Sequence, residues 1–153
     1  MKRTFLISAI VKLLFLTTIS AGSSGCTNNE GRKSPIVIAL TNDSFKKLVF
    51  DYEKNKTWKF EGNIPAIIDF NASWCPPCRQ LSPIIEEIAK EYSGRVVVYK
   101  VDTDKEQILA QSMGIKNLPT LFFIPLKGKP QSTVGFIPKV TVIKAINEVL
   151  LGK

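Results

Sequence analysis

Two cysteines three positions apart, Cys75 and Cys78, lie in the segment Trp74-Cys75-Pro76-Pro77-Cys78. An apolar, strand-like run (Ala66-Ile67-Ile68-Asp69-Phe70) precedes them, and a helix-like run over 79–92 follows. A C-x-x-C pair on a strand-to-helix turn can close a small disulfide and reopen it, which is the chemistry of thiol–disulfide exchange. The attacking sulfur has to be a thiolate. At a helix N-terminus Cys75 would sit near unpaired backbone N–H groups and the positive end of the helix dipole, and the Cys78 N–H can point at its sulfur. Pro76 and Pro77 lack an N–H, at little cost in a first helical turn, and they stiffen the loop between the sulfurs. A plain structural disulfide or half of a zinc site would also use two cysteines, but a bridge over so short a loop staples almost nothing. The chain has no histidine and three cysteines in all. That excludes Cys–His catalysis, His-ligated zinc and a four-thiolate metal site, and no metal or small-molecule cofactor is implied.

The elements that must position this pair alternate. Residues 36–40 read as an apolar strand. Thr41-Asn42-Asp43 offers a helix N-cap, with Phe45, Leu48, Val49 and Tyr52 on one helical face. Residues 54–63 are polar around Trp58 and Phe60 and read as a loop or ragged helix end. Residues 66–71 are too apolar for a half-solvated strand, hence central. Leu81, Ile84, Ile85 and Ile88 stripe the next helix, which Pro83 should kink. A β-branched strand over 96–101, a short helix over 105–113 ending near Gly114, and a hairpin of 118–124 and 131–136 around Lys127-Gly128-Lys129 follow. Pro138 can start a last helix with Val140, Ile143, Ile146 and Leu150 toward the core. The order β-α-β-α-β-α-β-β-α implies an α/β fold, a mixed central sheet flanked by helices.

From residue 36 to 151 the chain resembles a thioredoxin, through more than the redox motif. Asp69 lies six residues before Cys75, where thioredoxins carry a buried acid, and Lys100, in Tyr99-Lys100-Val101-Asp102, falls where the family carries a lysine near it. Pro83 matches the helix-kinking proline, Gly114-Ile115-Lys116-Asn117-Leu118-Pro119-Thr120 the segment with the family's cis-proline, and Val134-Gly135 a glycine near the substrate groove. The resemblance implies the thioredoxin fold and a disulfide oxidoreductase. Cys75 would be the nucleophile and Cys78, the more buried thiol, would resolve the mixed disulfide. Asp69 would take the Cys78 proton through a water, and Lys100 would tune that acid, although strand alternation alone could turn Lys100 to solvent. Pro119 would be cis. Trp74, Pro76, Pro77, Leu118, Pro119 and Gly135 would form a shallow apolar groove for disulfide-containing protein substrates, with Trp74 on its rim rather than in the core. Three departures stand out: Pro76 replaces a usual glycine, Asn71 an aromatic residue and Asn117 a glycine. The first bears on redox potential and the other two on substrate preference.

Length and charge fit one domain of this kind. At 153 residues the chain can bury a sizeable core. Its net charge is +8, but three of the positives, Lys2, Arg3 and Lys12, lie near the N-terminus, and residues 26–153 carry +5. No lysine/arginine run or aromatic-basic interleaving points to nucleic acid. Residues 1–25 read as a secretory signal: a positive start, apolar runs over 5–11 and 13–19 broken by Lys12, then small residues. Neither run reaches the ~18 residues that a retained membrane anchor needs. Cys26 follows Ser24-Gly25 as in a lipoprotein lipobox, with Ser23 where an aliphatic residue is usual. Pairing of Cys75 with Cys78 leaves Cys26 odd, which favours lipidation; removal or a free thiol are the other fates. Residues 26–35 read as a flexible tether and 36–153 as the thioredoxin domain.

The leading expectation is a periplasmic bacterial reductant of protein disulfides, monomeric, fed by a membrane thiol donor because a cytosolic reductase cannot reach that compartment. A cytochrome-maturation reductase is the nearest rival, and that family usually carries an insertion before the cis-proline. Pro119 follows Cys75 by only 44 residues. A non-catalytic binding or chaperone module on the same fold is the rival from another class, and the retained Cys75, Cys78, Asp69 and Pro119 argue against it.

Overall fold

The structure, a computed structural model, describes residues 37–153. The expected leader over 1–25, the tether over 26–35 and Cys26 lie outside the described residues. Five strands, β1 (Val37–Ala39), β2 (Ala66–Asn71), β3 (Val97–Asp102), β4 (Thr120–Ile124) and β5 (Gln131–Val134), form one sheet in the order β1-β3-β2-β4-β5. β1 and β2 run parallel to β3, while β4 is antiparallel to β2 and β5 to β4. The helices are α1 (Asn42–Leu48), α2 (Pro76–Glu91), α3 (Gln107–Ser112) and α4 (Lys139–Ala145), the last running into a π-helical turn over Ile146–Leu150. This is the expected mixed sheet in the expected element order.

Residues alternate across the sheet, so each central strand feeds two cores. Ile67, Val98, Leu121 and Phe123 pack with Leu81, Ile85 and Ile88 of α2 and with Val142, Ile146 and Leu150. Ile68, Phe70, Tyr99, Val101 and Ile124 pack on the other face with Phe45, Val49 and Leu109. All six residues of β2 are buried, as a strand covered on both faces must be. Asp69 and Asn71 share the α2 face with Ile67, and a polar side chain there has to find partners inside the protein.

The sequence signals place element ends with local differences. Thr41 caps α1 by a capping box: its hydroxyl accepts from the Ser44 N–H at 3.2 Å, and Ser44 Oγ accepts from the Thr41 N–H at 2.8 Å. The helix stops at Leu48, so the buried pair is Phe45 and Val49, and Leu48, expected inward, is 42% exposed. Val140 is likewise a correction. The last helix buries Val142, Ile146 and Leu150, an i, i+4, i+8 stripe, and leaves Ile143 half-buried and Val140 70% exposed, because two helical positions turn a side chain to the opposite face. α2 continues through the exposed Pro83, whose missing N–H removes one bond without ending the element. The 54–63 segment is a loop, anchored by Trp58 against Phe50 with ring centroids 4.7 Å apart. β4 begins at Thr120, two residues later than the apolar run suggests, since Pro119 has no N–H to give the ladder.

Candidate active site

The strand-to-helix turn after β2 delivers the two cysteines. Cys75 is the N-cap of α2, with extended backbone, and Pro76 and Pro77 open the helix. The sulfurs of Cys75 and Cys78 are bonded at 2.07 Å, with the Cα atoms 5.3 Å apart. The Cys78 N–H donates to Cys75 Sγ at 3.3 Å, so the cap position that usually holds a hydroxyl or carboxylate oxygen holds a sulfur. A thiolate released there by reduction inherits the donor and the positive end of a sixteen-residue helix. Burial does not distinguish the cysteines as the sequence suggested: both are 2% exposed, because the bond holds the Cys75 sulfur against the helix. The surrounding surface does distinguish them. Cys75 lines a cleft of about 420 Å³ and Cys78 does not.

That cleft also holds Trp74, Pro76, Pro77 and Leu118. Trp74 is 64% exposed, on the rim, with its indole N–H donating to Asp104 Oδ1 at 3.1 Å. The Leu118–Pro119 bond is cis. Pro119 and Gly135 do not line the cleft; Pro119 is buried, and the Gly135 N–H donates to its carbonyl at 2.7 Å. Gly135 has φ +87°, a backbone region costly to any side chain, so this glycine fixes the proline from behind. The sequence reading missed Thr103, Ala110, Ile115 and Lys116 as lining residues, and it gave Asn117 no place in the cleft. Ile115-Lys116-Asn117 adjoins the proline motif and was within reach of sequence reasoning. Thr103 and Ala110 arrive from other elements and carry no local signal.

Asp69 lies in a second, smaller cavity of about 140 Å³, lined also by Ser82, Ile85 and Glu86 of α2, by Lys100, and by Val37 and Ala39. It is 2% exposed, and its Oδ1 has no hydrogen-bond partner. Burial pushes its carboxyl up to about 6, while the Lys100 charge and the Asn71 amide hold it down. Lys100 pairs in register with Asp69 across β2 and β3, on the same face, yet its side chain is exposed. Both sequence alternatives for Lys100 thus describe it in part. Ser82 Oγ donates to the Cys78 carbonyl at 3.0 Å, which links this cavity to the helical turn that carries the second cysteine. Asn71 is not in the cleft, so it cannot act on substrate preference by contact. It is 5% exposed and faces Asp69.

Comparison with known proteins agrees with this geometry. A family model described as Thioredoxin matches residues 36–148. The chain is 51% identical over 102 residues to a thioredoxin of Borreliella burgdorferi, covering 67% of this chain and 87% of that one. It is 35% identical over 113 residues to thioredoxin 1 of Synechococcus elongatus, covering 74% and 96%. Among solved structures, a chloroplastic thioredoxin z matches with a TM-score of 0.62 at 27% identity, over 73% of this chain and 92% of that chain.

Proposed function

The chain belongs to the thioredoxin family of disulfide oxidoreductases, which act on disulfide-containing proteins, and from that premise we propose that it reduces the disulfides of exported proteins on the outer side of a bacterial inner membrane. The observation that carries the chemistry is the Cys75 sulfur: capping a helix, accepting the Cys78 N–H and opening onto an apolar cleft. Reduced Cys75 attacks one sulfur of a substrate disulfide. A Cys75–substrate disulfide forms and the other substrate sulfur leaves as a thiolate. Cys78 gives its proton to Asp69 through a water, and its thiolate attacks Cys75 Sγ. The mixed disulfide breaks, the second substrate thiolate leaves, and the Cys75–Cys78 disulfide remains, two electrons having passed to the substrate. A carboxyl near 6 is matched to that transfer, because it is ionised enough at neutral pH to accept a proton and weak enough to return it. The cleft suits an extended segment, with Trp74 and Leu118 gripping its apolar side chains.

Export, a lipid on Cys26, a monomeric state and a membrane thiol donor belong to the same proposal. The support for export, lipid and donor is the leader-like pattern over 1–25, the odd cysteine count and the need for electrons in an oxidising compartment, and the monomer is the default for a sequence with no dimerisation pattern. The test is insulin reduction with dithiothreitol: the wild type turns over, Cys75→Ala does not, and Cys78→Ala accumulates a protein–substrate disulfide on non-reducing gels. Absence of that adduct would remove Cys75 as the nucleophile. The potential of the pair, measured in a glutathione buffer on the domain without residues 1–26, is expected near about −270 mV; a value near about −120 mV would place the protein on the disulfide-forming side.

A further inference from the structure

Asn71 ends the central strand on the same face as Asp69, two residues on. Its side-chain Nδ2 donates to both the Asp69 backbone carbonyl, at 3.1 Å, and the Asp69 carboxylate Oδ2, at 3.2 Å. Its own backbone carbonyl accepts from the Thr103 N–H at 2.9 Å and from Thr103 Oγ1 at 3.1 Å. Asn71 is therefore tied to Asp69 at its side chain and to the loop after β3 at its backbone, and it is 5% exposed. Asp69 Oδ1 has no protein partner, so Asn71 is the one side chain among the described residues that hydrogen-bonds this carboxyl. An amide N–H donated to a carboxylate is stronger than one donated to the neutral acid, and such a bond favours the ionised form.

We propose that Asn71 is a positioning residue for proton transfer, holding the Asp69 carboxyl in one orientation by the hydrogen bond to Oδ2 and biasing it toward the charged form that can accept the Cys78 proton. The bond leaves Oδ1, the unpartnered oxygen, free for that proton. The inference rests on the reading of Asp69 as the base. The other groups that face the carboxyl are Lys100 from β3, whose charge acts in the same direction, and Glu86 and Ser82 from α2; Val37 and Ala39 of β1 are uncharged. Asn71 differs from all of these in touching the carboxylate itself.

The test is carried out on the reduced full chain. The near-isosteric Asn71→Leu removes the donor, with Asn71→Ala as a second variant should leucine prevent folding. Carboxyl carbon NMR reads the Asp69 titration directly, and single-turnover disulfide reduction against pH reads its use. Loss of one charge-assisted bond should move the Asp69 midpoint up by about one pH unit. The acid limb of the pH profile should move with it. In an Asp69→Asn background, Asn71→Leu should leave the profile where it was. An unmoved Asp69 midpoint in either folded variant overturns the proposal, and so does a moved midpoint that the rate does not follow. If Asp69→Asn alone leaves turnover unchanged, the base assignment fails, and the NMR midpoint still reports separately whether Asn71 biases the carboxyl.

Discussion

At the residue scale the decisive side chain beyond the cysteines is Asp69, a carboxyl placed where its charge is expensive. Its folded midpoint of about 6 lies above the ordinary 3.8, first because of burial. The consequence for stability has a definite sign. Below about 3.8 the group is neutral in both folded and unfolded chains and costs nothing. As pH rises toward 6 the unfolded chain ionises while the folded one resists, and stability falls. Above 6 the full penalty, about 3 kcal/mol, is in place. Asp69→Asn should therefore stabilise the oxidised protein by roughly that amount at pH 8 in urea unfolding and lose the advantage near pH 4. The same variant should slow insulin reduction while Cys75 stays reactive to alkylation. Equal stability of the two proteins at pH 8 would mean that the carboxyl is better solvated than its 2% exposure implies.

At the element scale the site is made by two ends and one face. The N-terminus of α2 supplies the thiol donor, and the buried cis-proline before β4 stands behind Leu118 at the cleft. The face of β2 that meets α2 supplies the acid. The last helix shows how far periodicity alone carries. A helix with Ile146 and Leu150 inward is legible, but its phase at the first turn is not, because Val140, Val142 and Ile143 are all apolar and each fits some stripe. Packing against α2 and β4 selects Val142. Ile146→Ala should cost about 2–5 kcal/mol through the cavity it leaves, whereas Val140→Ser should stay within about 0.5 kcal/mol. Chemical denaturation of both variants measures the contrast, and a comparable loss at Val140 would put that residue in a contact outside the described surface.

At the scale of the whole molecule, one sheet divides two cores, and the site sits at one end of it. The strand face that buries Asp69 continues as Ile67 into the α2 core, so the acid is held by packing as much as by bonds. The proposed export and anchoring rest on residues outside the described body. If Cys26 carries lipid, the intact protein should sediment with membranes, and Cys26→Ser should release it to the soluble exported fraction with its insulin-reducing activity unchanged. Wild-type protein in the soluble fraction would remove the anchor from the proposal.

The sequence alone determined the family, the element order and the Cys75/Cys78 pair at the strand-to-helix turn. Those rest on local rules: C-x-x-C spacing, prolines in a first turn, period-two and period-3.6 apolar patterns. It also placed Asp69 in a buried strand, since a six-residue run with one acid leaves few other readings. Only the tertiary structure decided what surrounds that acid. Asn71 read as a change bearing on substrates: strand alternation puts residues 69 and 71 on one face, but nothing in a linear string says that this face is buried under α2 or that the two side chains meet at 3.2 Å. Thr103 and Ala110 reach the cleft from segments some thirty residues beyond Cys75, and Lys100 reaches Asp69 across a strand pairing. Such neighbours are set by sheet register and helix packing, which are long-range outcomes of the whole core and leave no mark at the positions themselves.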